Sequence, residues 1–136
     1  MLRTATSSDI PGIRMLLQSV PGMWQESWRA AVLETALSSA GDLALVHEAH
    51  NSIDGFACAH DVGFRAYLSE LVVTPGAEHQ GIGSQLLSEI ERRLVDRGCL
   101  VIIADAWRDA EPFYRSLGWS SPSVVLLRKS LASAAA

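Results

Sequence analysis

The chain reads as an α/β domain, a central mixed β-sheet flanked by helices, on three observations. Strand-like and helix-like apolar spacings alternate in the order strand, two helices, three antiparallel strands, helix, strand, helix, strand. The run from Tyr67 to Val73 is rich in β-branched and apolar residues and closes at Thr74-Pro75-Gly76. It leads through Gly81-Ile82-Gly83 into a helix whose apolar residues, Leu86, Leu87, Ile90 and Leu94, recur at helical spacing. Leu100 to Ala104 (LVIIA) is a continuous apolar run, the pattern of a buried parallel strand. With 136 residues, 49% of them apolar, the sequence supports a single domain over residues 1–136 with one core. No repeat, linker or low-complexity segment divides it.

Leu2 to Ala5 is a short strand. Thr6, Ser7 or Ser8 should cap the first helix, with Asp9 near its positive end, and Pro11 fits only in a first turn. Ile10, Ile13, Leu17 and Val20 form the buried stripe of that helix, and Pro21-Gly22 breaks it. A second helix is predicted from Gln25 to about Ser39, with Trp28, Val32, Thr35 and Ala36 on one side. Trp24 and Trp28 would then share a face, either as the wall of a pocket or as packing against the sheet.

Leu43–His47 and Ile53–His60 read as a hairpin turning near His50-Asn51-Ser52, with Asp54-Gly55 as a competing turn or a bulge. The central strand follows, then a helix from Ile82 to about Arg97, with Glu89 and Arg93 paired outside and Gly98 as the stop. After the LVIIA strand come a helix over 108–117, closed by Gly118, and a last strand from Val124 to Lys129. The tail from Ser130 is expected to fray.

Composition narrows the function classes. A net charge of -4 argues against a nucleic-acid binder, which would show a basic face. No apolar run is long enough to span a membrane, and the first residues lack a signal pattern, so a cytoplasmic protein is expected. Cys58 and Cys99 sit in apolar surroundings and read as buried free thiols without an activating neighbour. The four histidines show no metal-ligand spacing, so no metal is expected.

A strand, a glycine turn and a helix start form an anion site, because the first helical amides lack intrahelical acceptors and the helix dipole adds positive charge. The turn lacks the spacing of a Walker loop or a dinucleotide fingerprint. Val73-x-Pro75 followed by Gly81-Ile82-Gly83-x-x-Leu86-Leu87 resembles motif A of the GCN5-related N-acetyltransferases (GNAT). Ala110-x-x-Phe113-Tyr114-x-x-x-Gly118-Trp119 is similar to their motif B. The opening RTATSSDIPGI also resembles the first strand and helix of that family, so the resemblance covers nearly the whole chain.

The resemblance implies a GNAT-like acyl-CoA N-acyltransferase fold and transfer of an acetyl group from acetyl-CoA to a primary amine, by direct attack in a ternary complex. It implies that the pantetheine arm lies along the backbone of Leu71, Val72 and Val73. The pyrophosphate would meet the amides of His79, Gln80, Gly81, Ile82, Gly83 and Ser84. Tyr114 is implied near the sulfur, orienting the thioester or protonating the departing thiolate, with a core tyrosine as the alternative. Glu70 is the candidate base, with Ser69, Tyr67 and His60 behind it, and Trp24 and Trp28 would bind the acceptor. A base-free route through water is the alternative to Glu70.

Two positions depart from the pattern. Glu78-His79 stands where the family has Arg or Gln followed by Gly, and Trp107 replaces an Asn. Both support a rival reading, an acyl-CoA-binding sensor or partner module. The expected acceptor is a small molecule or peptide amine, with no nucleic acid or membrane partner, and a homodimer is the assembly the resemblance allows.

Overall fold

Residues 1–131 are described by the computed structural model, in which the chain forms two units, Met1–Ala104 and the segment from Asp105 onward. The first unit holds β1 (Leu2–Thr4), α1 (Ile10–Ser19), α2 (Val32–Ala40), β2 (Ala44–Ala49), β3 (Ser52–Asp61), β4 (Ala66–Val73), α3 (Ile82–Asp96) and β5 (Ile102–Ala104). The second holds α4 (Glu111–Ser116). The five strands form one sheet in chain order; β1 to β4 pair antiparallel and β5 joins β4 in parallel. The sheet is therefore mixed, and α3 is the crossover that a parallel pair requires.

Gly55 to Ala59 of β3 are buried without interruption, as befits the middle strand of a sheet covered on both faces. Phe56, Leu45 and Val46 of the sheet, Ile13 and Leu17 of α1, and Leu86, Leu87 and Ile90 of α3 fill the core. Each such side chain contributes roughly 1.5–3 kcal/mol by leaving water.

The hairpin between β2 and β3 turns on His50 and Asn51, which both take positive φ (54° and 63°) in a two-residue loop. Asp54 is then the extra residue of a bulge, because His47 pairs with Gly55 while Glu48 pairs with Ile53. The choice left open at Asp54-Gly55 therefore falls to the bulge, and the Asp54 carboxylate bonds His47 Nδ1 at 2.6 Å.

Entry into α1 is fixed by charge. Arg3 donates from both terminal nitrogens to the two oxygens of buried Asp9, each at 2.8 Å, and the Thr6 amide donates to the same carboxylate at 2.8 Å. The Arg3 guanidinium, helped by the Thr6 amide, holds the Asp9 carboxyl down at about 2. Because the folded state depresses this value, its contribution is present above the unfolded carboxylate range and is lost as pH falls through about 2. Asp9→Asn is expected to lower the unfolding free energy by about 2 kcal/mol at neutral pH and to cost little near the bottom of that range. Chemical denaturation at both pH values checks this.

The seating of α3 depends on one missing side chain. A Cβ on Gly55 would lie 2.7 Å from Ile82 Cγ2 and 3.0 Å from Leu86 Cδ1, so the first turns of α3 rest against the β3 backbone. Gly55→Ala is expected to destabilise the fold by about 1–3 kcal/mol through overpacking, read as a lower denaturation midpoint at unchanged slope. At the other end the Cys99 amide bonds the Leu94 carbonyl and the Gly98 amide bonds that of Val95, with Gly98 at φ 86°. This double bond pattern closes the helix as its sequence predicts. Glu89 accepts from Arg93 at 2.8 Å, and also from Arg92 at 2.6 Å.

Four expectations need correction. The second helix starts at Val32 rather than Gln25; residues 25–31 form turns, with the Trp28 amide bonded to the Gln25 carbonyl. Val32, Thr35 and Ala36 still share one side with Trp28, all four lining a single cleft, while the buried residues of the helix are Leu33 and Ala40. The LVIIA run contributes only Ile102–Ala104 to the sheet, and Leu100 is 83% exposed. The helix predicted over 108–117 is a 3-10 turn at Arg108–Ala110 followed by the six residues of α4.

Val124 to Lys129 is not a strand. None of these residues joins a ladder, and Val124, Val125, Leu126 and Leu127 are 68–86% exposed. β-propensity expresses fit to a paired, half-buried surface, and without a partner edge it orders nothing. Of the predicted frayed tail, residues 132–136 lie outside the described residues.

Candidate active site

The turn between β4 and α3 exposes backbone donors. The Ala77 and Gln80 amides are used within the turn, on the Thr74 and Ala77 carbonyls, and the Gln85 amide is the first of α3 to bond back, to Gly81. Among the described residues the amides of Gly81, Ile82, Gly83 and Ser84 have no backbone acceptor. Gly81 reaches this arrangement with φ 79°, a left-handed conformation that a side chain would strain. Ser84 Oγ occupies the Gly81 carbonyl at 3.1 Å, which leaves donors rather than acceptors at the helix start. Exposed His79 and Gln80 lie just before them.

Glu78 has its own partner. Its carboxylate accepts from the Gly76 amide at 2.8 Å, which ties it back onto the turn.

β4 and β5 part company early. Their pairing runs only from Ala66–Ile102 to Leu68–Ala104, so among the described residues β4 from Ser69 to Val73 has no ladder partner on that side. The Thr74 amide bonds the Asp54 carbonyl opposite it, which sets the alternation of the antiparallel ladder. Val72 and Glu70 therefore turn their main-chain groups toward β3, whereas Leu71 and Val73 present theirs on the open edge. Of Leu71, Val72 and Val73, whose backbone the resemblance implies for the pantetheine arm, Leu71 and Val73 present their main-chain groups on the open edge.

On the face shared with α1 and α2 a cleft of about 320 Å³ is lined by residues including Trp28, Arg29, Ser39, His60, Ser69 and Glu70. Cys58 pairs with Glu70 and Ala59 with Leu68, so Ser69 is the extra residue of a bulge in β4. The bulge breaks the alternation of side chains, and Ser69 and Glu70 line the cleft together. Trp24 is not among the lining residues; its ring packs edge-on against Trp28 at 5.3 Å, and the Arg14 guanidinium lies 5.8 Å from its centroid. A larger hollow, about 530 Å³, lies over α1 and the β2–β3 turn and contains none of the predicted site residues.

His60 bonds Ser39 Oγ through Nδ1 at 2.8 Å and Ser69 Oγ through Nε2 at 2.9 Å. Ser69 also donates to the Cys58 carbonyl at 3.1 Å. Burial lowers the His60 pKa, so the ring is neutral at pH 7. Burial pushes the Cys58 thiol up to about 12, which makes it inert as a nucleophile. Ser39 and Arg29 carried no readable signal in the sequence, and the closeness of Ser39 to His60 depends on how α2 packs.

In the second unit Tyr114 lies on α4, with its ring edge-on to Phe113 at 5.3 Å and to Trp119 at 5.2 Å. Trp107, at the residue that precedes the 3-10 turn, is 54% exposed. Among the described residues no group of three or more His, Cys, Asp or Glu could hold a metal, and no helix is long and apolar enough to cross a membrane.

Comparison with known proteins puts these features in a family. The profile of the acetyltransferase (GNAT) family matches residues 11–119. No curated protein matches the chain in sequence at a significant level. Among solved structures, a transcriptional regulator from Bacillus halodurans C-125 is 21% identical with TM-score 0.79, over 96% of this chain and 99% of that one. The ribosomal-protein-S18-alanine N-acetyltransferase from Escherichia coli is 22% identical with TM-score 0.72, over 90% and 79%. The aminoglycoside acetyltransferase AAC(6')-Iy, in complex with a bisubstrate analog, is 21% identical with TM-score 0.75, over 96% and 97%. At these identities the structural likeness is one of fold, and the profile match, spanning most of the chain, carries the assignment: the protein belongs to the GNAT family of acetyltransferases.

Proposed function

We propose that the protein is an acetyl-CoA-dependent N-acetyltransferase that acylates a primary amine of a small molecule or peptide. One observation carries this reading: the open β4 edge runs from the free amides of Gly81–Ser84 at one end to a polar cleft at Ser69 and Glu70 at the other. That is the layout needed to hold an acyl carrier along a strand and offer its reactive end to an amine. The free amides would take the pyrophosphate, and Leu71 and Val73 would bond the pantetheine arm as an added strand would. His79 and Gln80 flank the anion.

In the cleft, Glu70 draws in a cationic acceptor and is the candidate to receive its proton, and Trp28 gives the acceptor an apolar wall, with Trp24 behind it. The amine nitrogen attacks the thioester carbon, the C–S bond breaks as the N–C bond forms, the acylated nitrogen gives up its second proton to solvent, and Tyr114, the proposed donor to the leaving thiolate, regains its proton from water. The aminoglycoside and ribosomal-protein enzymes that share the fold support an amine acceptor of either size. The reading takes the cytoplasm as the working location and a homodimer as an assembly to test.

The rival reading, an acyl-CoA-binding module without turnover, rests on Trp107. Its other support weakens, since Glu78 is tied to Gly76. Titrating acetyl-CoA by calorimetry and following amine-dependent thiol release separates the two. Binding with release supports the enzyme; binding without release supports the module; no binding overturns both.

A further inference from the structure

The cleft holds a chain of hydrogen bonds that a purely structural polar cluster does not need. His60 stands on β3 and reaches two hydroxyls from two different elements, Ser39 on α2 and Ser69 at the β4 bulge, at 2.8 and 2.9 Å. All three side chains line the same cleft as Glu70. Ser69 is there only because of the bulge; without the inserted residue its side chain would alternate to the opposite face of the sheet. The Ser69 hydroxyl therefore touches both the ring nitrogen and the space an acceptor would occupy.

We propose that Ser69 and His60, in place of the Glu70 carboxylate, form the proton relay that deprotonates the acceptor amine, a role that rests on the acetyltransferase reading given above. In the competent arrangement Ser39 Oγ accepts from Nδ1–H, and the Ser69 hydroxyl turns its one hydrogen from the Cys58 carbonyl to the lone pair of Nε2. The substrate ammonium gives one proton to Ser69 Oγ as Ser69 passes its own to Nε2. The products of the step are a neutral amine, an intact Ser69 hydroxyl and an imidazolium on His60. The amine then attacks with its freed lone pair, and the imidazolium returns its proton to solvent before the next turnover.

The groups around the ring fit this cycle. Glu70 from β4 is the carboxylate of the cleft and favours the imidazolium once formed. The Cys58 thiol, 3.7 Å from Nε2 on β3 itself, is neutral because burial pushes it to about 12. Arg29, ahead of α2, is the cation that lines the cleft, and the residues that α2 brings to it, Val32, Leu33, Thr35, Ala36 and Ser39, are all uncharged. Burial favours the neutral ring, which keeps it ready to accept at pH 7. Glu70 thus holds the ammonium in place, while the proton leaves through Ser69.

Three proteins test this: the wild type, His60→Gln, which can still bond both hydroxyls, and Ser69→Ala. Spermidine, neamine and an N-terminal alanyl peptide serve as amine probes, with thiol release followed from pH 5.5 to 9.5 and acetyl-CoA affinity measured alongside. In the wild type kcat/KM for the amine should rise with pH and level off above the lowered histidine range. Both variants should lose about 100-fold at pH 7, keep acetyl-CoA affinity within twofold, and regain rate continuously toward high pH, where free neutral amine becomes abundant. Profiles that stay parallel to the wild type at every pH would overturn the relay and leave the acetyltransferase reading standing. Wild type that binds acetyl-CoA but releases no thiol with any probe overturns both together.

Discussion

Gly81→Glu should abolish saturable acetyl-CoA binding, raising the dissociation constant at least 100-fold, while the protein remains folded. The position combines two sensitivities. At φ 79° a non-glycine residue costs about 1–2 kcal/mol of backbone strain. A Cβ there would meet only Ser84 Oγ, at 3.9 Å, so the fold itself has room for the change. The larger effect is electrostatic: a carboxylate at the free amides of Gly81 to Ser84 competes for the donors and repels a diphosphate.

Gly81→Gln carries nearly the same bulk and strain without the charge, and Gly81→Asn is better tolerated in the left-handed region. Affinity should fall in the order glycine, Asn, Gln, Glu, measured by calorimetry with thermal unfolding as the control. Equal losses for Gln and Glu would make the site steric rather than electrostatic. Unchanged affinity in all three would remove the pyrophosphate from this turn.

What the sequence revealed and what it hid divide along the range of the interactions. The β4–turn–α3 unit was legible because its signals are local: a β-branched run, Pro75, two glycines, then apolar residues on one helical face. Glu89–Arg93 and the Gly98 stop are legible for the same reason, since partners three to five residues apart meet in any helix. The bulge at Ser69 left no local mark. It exists because Cys58 and Ala59 pair across a slipped register, and a register is a property of two strands.

The extent of β5 was hidden by the opposite error. Leu100 and Val101 have the composition of a buried strand, yet Leu100 is 83% exposed and the parallel pairing starts only at Ile102. Apolar content shows what a segment can bury, not whether a partner reaches it. The same reason removes the expected strand at Val124–Lys129. Trp28 shows the intermediate case. The helix that was to place it begins four residues later, but the ring still reaches the cleft wall through its edge-on contact with Trp24 and the turns before α2. His60 was visible only as a histidine at a strand end; its two hydroxyl partners come from Ser39 and Ser69, distant in sequence, and only the packed sheet brings them together.

Tyr114→Phe is expected to lower kcat by about 10 to 100-fold with acetyl-CoA affinity unchanged. The substitution keeps the ring, so the edge-on contacts with Phe113 and Trp119 at 5.3 and 5.2 Å survive and α4 keeps its shape. Only the hydroxyl goes. The upper bound on the loss follows from the leaving group: a thiol of pKa about 8.5 leaves as a tolerable anion even without a proton donor. A donor therefore accelerates departure by less than it would for an alkoxide. If Tyr114 protonates the thiolate, the deficit of the variant should shrink for an acetyl thioester of a more acidic thiol, which needs the proton less. If it orients the thioester, the deficit should be the same for both thioesters. Full activity in the phenylalanine variant would assign Tyr114 to packing alone, and the thiolate would then take its proton from water.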